Sequence, residues 1–490
     1  MSRRVRPHPL VPALLFGLAA MSTHAATPRL TVYSGGYDAV ARGEATAGYA
    51  LVRQPVRVAP DAAGDWAFDA LPRGVDPATL SLEGNGIRVR AQRFDFAGLD
   101  QSQLLRLAIG QRISVEQLAP SGTRTYAGVL LAAGDGLTLR EDDGRVRVLA
   151  GYSGFTLDRA PAGLVARPTL RIRVDGGSER DATLGYATAG LAWKAEYRLV
   201  LAPGPSCRMA AAAHAMVANR SGADIDGASL TLVAGEPNRV GGSIEGMRAS
   251  GRMMTMAAPA ANAMEADGMP QREASAEYHA YVLPGEVDLP DGSLQRLPLM
   301  PNAPAVTCER RYPVESPVGA WIPNRPLVHR DLGGDGDLEV RNELRFRNDR
   351  AAGLGEPLPA GRVRVFDGES LLGEAMLDHT AAGRDVALDL GRSFDLSARR
   401  RSMDFALDRA GRTLTETVEW TLRNAKDVPA TLRVGDGLPR WTEWVLLEGG
   451  DAFAKKDAQR IEADVVVPAG GERTVRYTVR YRWAADVTID

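Results

Sequence analysis

Six of the chain's 13 methionines, Met247, Met253, Met254, Met256, Met264 and Met269, fall within the stretch Gly241–Glu277. Thioethers are soft ligands that suit Cu(I), so Met253, Met254 and Met256 are the candidate ligands if this stretch handles copper. The competing reading is a low-complexity Ala/Met linker whose thioethers bind nothing. The two cysteines, Cys207 and Cys308, flank the same stretch. An even count points to a disulfide in an oxidising compartment, and closing so long a loop contributes up to ~4–5 kcal/mol in the chain-entropy description. Trp441 and Trp444 lie three apart. On one strand their indoles would face opposite ways, leaving one as a stacking platform for a sugar or peptide. A bend that partly buries both is the plainer reading.

Catalytic constellations are missing from the rest of the chain. His214, His279, His329 and His379 are isolated, and no H-E-x-x-H, H-x-H or C-x-x-C occurs, so a zinc hydrolase has no visible ligand set. There is no G-x-S-x-G nucleophile elbow. Asp331, Asp335, Gly336, Asp337 and Glu339 approach a calcium loop, but Gly333 and Asn342 stand where two carboxylates are needed. This segment reads as a polar turn leading into a strand at Leu338. Other acidic residues read as solvated partners for arginine. No catalytic residue is assigned and no cofactor is implied.

The N-terminus carries an export pattern. Arg3, Arg4 and Arg6 precede an apolar run of 12 residues, Leu10 to Met21, and Thr23 and Ala25 supply small residues for cleavage. Residues 1–25 are therefore expected to be a signal peptide for the general secretion route, placing the mature chain in the periplasm or outside the cell. The run is too short to span a bilayer, which takes about 20 residues. No stretch beyond Ala25 reaches 18 apolar residues, so the mature protein is expected to be soluble. Without Arg3, Arg4 and Arg6, the 59 basic residues fall to 56 against 61 acidic ones, a net charge of −5. That balance excludes non-specific binding to nucleic acid or an anionic membrane.

Period-two alternation dominates the remainder and marks half-buried strands. Val475, Tyr477, Val479, Tyr481 and Trp483 share one face, with Arg476, Thr478, Arg480 and Arg482 opposite. Leu338, Val340, Leu344 and Phe346 form a second apolar face; Leu414, Val418, Trp420 and Leu422 a third; Leu170, Ile172 and Val174 a fourth. Turn signals such as Asp335-Gly336 and Gly435-Asp-Gly437 punctuate the runs. The expected class is all-β: a multidomain set of antiparallel β-sandwiches. The expected units are an N-terminal β region at 26–103, a small unit at 104–165, a β-rich body at 166–410 and an immunoglobulin-like sandwich at 411–490. The small unit has five strands beginning at Leu104–Ile109, arranged as an SH3-like or Sm-like barrel or a simple meander. Residues 241–277 are expected to be a disordered insertion within the body.

The run Leu184-Gly-Tyr186-Ala-Thr-Ala-Gly190-Leu-Ala-Trp193-Lys-Ala-Glu-Tyr197, followed in order by Asn219-Arg-Ser-Gly222, Leu358-Pro359-Ala-Gly361, Leu372-Gly373-Glu374 and Asn424-Ala-Lys426, resembles a bacterial family known as domain of unknown function 4139. The resemblance covers most of residues 165–485 and implies a β-rich fold and an envelope location. Some relatives, named mucoidy-inhibitor-A-like, are linked to exopolysaccharide and carry an N-terminal coiled coil, for which this chain has no heptad segment. The family brings no catalytic residues. The leading expectation is an exported envelope protein that acts by binding a protein or polysaccharide. The alternatives are a periplasmic hydrolase whose site is assembled only in the fold, and Cu(I) handling through the methionines.

Overall fold

The computed structural model describes residues 27–489 except 97–100, 121, 162–163, 165–166, 205, 238–270, 276–277, 320 and 450–451. The expected signal peptide and Met253, Met254 and Met256 lie outside the described residues. Strands hold 59% of the described residues and helix 3%, so the alternating pattern does specify an all-β chain. Among the described residues no helix is long and apolar enough to cross a membrane.

Two large cores organise the molecule. The first lies between a seven-stranded sheet and one half of a 14-stranded sheet. It buries Leu30 and Val52 from the N-terminal strands against Trp193, Val217, Leu230 and Val363. The second lies under the other half of the 14-stranded sheet and buries Val418, Trp420, Leu432, Ile461 and Tyr477. Most pairings are antiparallel. Three that join distant parts of the chain are parallel: Arg29–Tyr33 with Ile225–Ala234, Leu191–Leu201 with Gly361–Asp367, and Ala303–Glu315 with Ala430–Gly437.

These pairings redraw the expected units. The N-terminal region at 26–103 shares a sheet with the body, because Ala50–Val58 pairs with Arg180–Thr188 and its apolar face completes the first core. A strand with one apolar face and no layer of its own must borrow one. The boundary at 411 falls inside a hairpin, since Asp385–Asp408 pairs along its length with Thr413–Asn424. The second core begins instead at Tyr312. Three strands divide their burial between the cores. Ala303–Glu315 gives Val306 to the first and Val314 to the second, Gly336–Arg347 gives Leu344 and Val340, and Asp385–Asp408 gives Leu388 and Ala398. That sharing is why one sheet runs continuously through both.

Near residues 104–165, four consecutive strands, Arg112–Ala119, Gly122–Ala133, Leu137–Arg140 and Val146–Leu149, form a meander. Gly154–Leu157 then returns to pair with the first of them, as in SH3-like folds. Leu104–Ile109, expected as a strand, instead overlaps a helix, Gln101–Leu107. Leu105 and Ala108 lie three apart, a helical spacing, and both are buried on this small core. Of the expected insertion 241–277, residues 241–270 and 276–277 lie outside the described residues, and Gln271–Ser275 pairs with Tyr278–Leu289.

Three buried asparagines close corners at strand ends. Asn219 Nδ2 donates to Ala223 O (3.0 Å) and Leu289 O (2.7 Å), and its Oδ1 accepts from Ser221 N (3.0 Å). Asn424 repeats the pattern with Val428 O (2.9 Å), Val467 O (3.2 Å) and Pro468 O (3.1 Å), accepting from Lys426 N (2.9 Å). Asn348 donates to Glu356 O and Ala381 O and accepts from Gly355 N. Each amide satisfies main-chain groups that leave the sheet ladder at a buried turn.

Candidate functional site

Inward-facing strand positions are normally apolar, yet charged residues occupy three of them at one end of the second core, and a fourth lies just beyond a strand end. Asp436 follows Leu432 and Val434 on its strand, Arg400 follows Leu396 and Ala398, and Glu416 sits between Leu414 and Val418. Arg440 lies just past Leu438. The four are almost fully buried and form two ion pairs. Arg400 Nε donates to Asp436 Oδ2 at 2.9 Å, and Arg440 Nε donates to Glu416 Oε2 at 2.7 Å. Trp420 Nε1 and Tyr477 Oη also donate to Asp436 Oδ2, and Tyr481 Oη donates to Glu416 Oε1. Burial opposes the Arg400 charge, but the Asp436 carboxylate more than offsets it, so its pKa is raised. Burial likewise pushes the Tyr477 and Tyr481 phenols well up and keeps them as donors.

Above this network runs an irregular loop, residues 316–335, between the strands Ala303–Glu315 and Gly336–Arg347. Loops longer than about 12–15 residues are uncommon and are often functional. This one is tied down at both of its ends. Arg440 Nη1 donates to Leu327 O (3.1 Å) and His329 O (2.6 Å), Arg440 Nη2 donates to Arg330 O (3.1 Å), and Leu327 N donates to Arg440 O (2.9 Å). Ser316 N bonds Gly435 O. A Cβ on Gly437 would overlap Val318 O, so only glycine lets the loop backbone lie this close. At the far end Asp335 accepts from Arg400 Nη1 (3.0 Å) and Ser402 N (2.9 Å). Between these anchors the loop presents Trp321, 51% exposed, and Ile322, 66% exposed. Pro317, Pro323 and Pro326 restrict its backbone further. A polar cleft of about 350 Å³ beside the loop is lined by Arg330, Asp331, Asp335, Ser402, Glu416 and Arg440.

Of the described residues singled out in the sequence, the loop acids and His329 lie here and the others lie elsewhere. Cys207 and Cys308 are bridged. Trp441 and Trp444 do not share a strand, because Trp441 precedes the strand Trp444–Glu448. Both pack partly buried on the second core. Trp444 Nε1 donates to Ala458 O, and Lys455 Nζ lies 4.6 Å from its ring centroid. The calcium-like acids are engaged otherwise: Asp331 caps Gly333 N, Asp335 holds Arg400, and Asp337 pairs with Arg399. His214 Nδ1 meets Arg296, and burial, with the Arg296 charge adding to it, lowers the imidazole pKa, while His379 Nδ1 accepts from Ala360 N. Among the described residues no three His, Cys, Asp or Glu side chains gather as a metal site. Arg400, Glu416, Asp436 and Arg440 were missed because the acids and arginines were read as one solvated population. The legible signal was a charge at the inward parity of an otherwise apolar strand, as at Glu416.

Glu315, at the loop's first anchor, has its carboxylate packed over Gly435. Desolvation there raises its pKa from the ordinary 4.5. A carboxyl raised in the folded state favours folding fully below the unfolded value, and that contribution is lost as pH rises through the folded value. Glu315→Gln is therefore expected to unfold at a higher denaturant midpoint than wild type at pH 7. The difference should vanish below about pH 4, as read by urea titration at several pH values.

A two-core β-sandwich protein with a pinned, aromatic-tipped loop is the class these features define. The chain belongs to the family described as Domain of unknown function (DUF4139), whose sequence model matches residues 182–485. The match takes in both ion pairs, the 316–335 loop and the disulfide, and leaves out the small five-stranded unit. No curated protein matches the chain.

Proposed function

We propose that this is an exported protein of the bacterial envelope that binds a protein partner through the 316–335 loop. The observation that carries the reading is the exposed pair Trp321 and Ile322 at the tip of a loop whose base is held by buried Arg440. Large apolar side chains held out between fixed anchors lose less entropy on binding than those of a free segment, and tryptophan is among the residues most often dominant in protein interfaces. Export is supported by the pattern of residues 1–25 and by the Cys207–Cys308 bridge, since disulfides persist mainly in oxidising compartments. A hydrolytic reading has less to draw on. Three of the cleft's carboxylates are committed, Glu416 to Arg440, Asp335 to Arg400 and Asp331 to its own turn.

The test is capture from solubilised envelope fractions by the immobilised full chain, compared with Trp321→Ala/Ile322→Ser. The wild type is expected to retain a specific protein that the variant binds at least ~30-fold more weakly, with both chains melting alike. Equal capture by both would remove the loop from the interaction. Retention of envelope polysaccharide with no protein would transfer the role to a sugar ligand.

A further inference from the structure

We propose that the Cys207–Cys308 disulfide is a thiol-exchange site, open on the folded protein to a dithiol reductant, and that its redox state sets how firmly the two cores are joined. The proposal is independent of the loop's binding role.

Arg208 pairs with Thr307 and Met209 with Val306, so Cys207 and Cys308 face each other across adjacent antiparallel strands, with Cα atoms 5.0 Å apart. Cys308 N donates to Cys207 O at 3.1 Å. Neither residue is sealed in a core; both are half-buried. Two open cavities, each about 470 Å³, meet at the bridge. Cys308 borders both, while Cys207, Arg208 and Arg310 border one. A nucleophile can therefore reach Cys308 from the surface, and Arg208 and Arg310, which line the cavity at Cys207 together with Glu309 and Asp367, supply positive charge that favours a departing thiolate.

Cys308 stands where the strand Ala303–Glu315 changes partners. Residues before it pair with Arg208–Asn219 in the first core, and residues after it pair with Gly336–Arg347 and then with Ala430–Gly437 over the second. The bridge thus staples one of the three shared strands to the first core at its crossing point.

The exchange balances without other reagents. One thiolate of the dithiol attacks Cys308 Sγ, forming a mixed disulfide and expelling the Cys207 thiolate. The dithiol's second thiolate then attacks its own sulfur in that mixed disulfide and expels the Cys308 thiolate. The dithiol ends as an intramolecular disulfide, having given two electrons, and both cysteines take up protons from its thiols or solvent. A Cys-x-x-Cys oxidoreductase supplies this chemistry.

Native full-length protein would be incubated with increasing dithiothreitol, alkylated at intervals and weighed, with the global unfolding rate measured separately by pulse proteolysis. Reduction is expected to accelerate in proportion to dithiothreitol and to exceed the unfolding rate by at least about tenfold. Arg310→Gln is expected to slow it with no change in unfolding rate. Amide exchange in the reduced protein is expected to rise in 208–211 and 303–311 while 413–424 stays protected. A reduction rate that levels off at the unfolding rate would overturn the exchange site. Unchanged amide exchange after reduction would overturn its role in joining the cores.

Discussion

Arg440→Met is expected to lower the unfolding free energy by about 3–5 kcal/mol, because it leaves Glu416 buried with only the Tyr481 hydroxyl for company. The same change removes the donors to Leu327 O, His329 O and Arg330 O, so the 316–335 loop loses its clamp. The two effects separate in the double variant Arg440→Met/Glu416→Gln. Neutralising both partners should recover more than half of the lost stability, since an ion pair replaced by uncharged groups often costs little. The loop carbonyls remain without Arg440, so amide exchange and proteolysis within 316–335 should stay as fast as in the single variant. Urea titration reads the first effect, and exchange detected by mass spectrometry reads the second. A double variant with a fully protected loop would mean that the packing of Pro323, Pro326 and Val328 holds it unaided.

Asn424→Ala is expected to cost about 3 kcal/mol, since it takes a partner from Val428 O, Val467 O and Lys426 N at a buried corner, while Pro468 O keeps Gly471 N. Asn424→Asp has nearly the same shape, yet it should cost at least as much at pH 7. A carboxylate cannot donate, and it would face three carbonyl oxygens. Protonation restores one donor, so the Asp variant should regain part of its deficit as pH falls toward 4, a trend absent from the Ala variant. Chemical denaturation across that pH range distinguishes lost volume from lost hydrogen-bond direction. Parallel behaviour of Asn219→Ala and Asn219→Asp would make the corner a device used repeatedly in this chain.

The all-β class was legible because side chains alternate across a strand whatever its partner. Val475, Tyr477, Val479, Tyr481 and Trp483 declared their face from spacing alone, and Tyr477, Val479, Tyr481 and Trp483 are fully buried there. The disulfide was legible because there are only two cysteines. Unit boundaries were not. The same alternation serves a strand in either core, so nothing local says that Val340 belongs to one and Leu344 to the other. Nor does Leu104–Ile109 reveal its helix, because a short apolar run fits either period until Leu105 and Ala108 meet the small core.

The candidate site divides in the same way. Trp321, Ile322 and the prolines around them could be read as a loop, and Glu416 could be seen as a charge out of place on an apolar face. Tertiary structure alone decided that Glu416 meets Arg440, that Arg440 holds the loop at Leu327, His329 and Arg330, and that Asp436 meets Arg400. Spacing along a chain encodes which way a side chain points relative to its own backbone. Which group it meets depends on distant parts of the chain, 36 residues away for Arg400 and Asp436 and more than 100 for Arg440 and the loop carbonyls, and that information exists only once the sheets have closed.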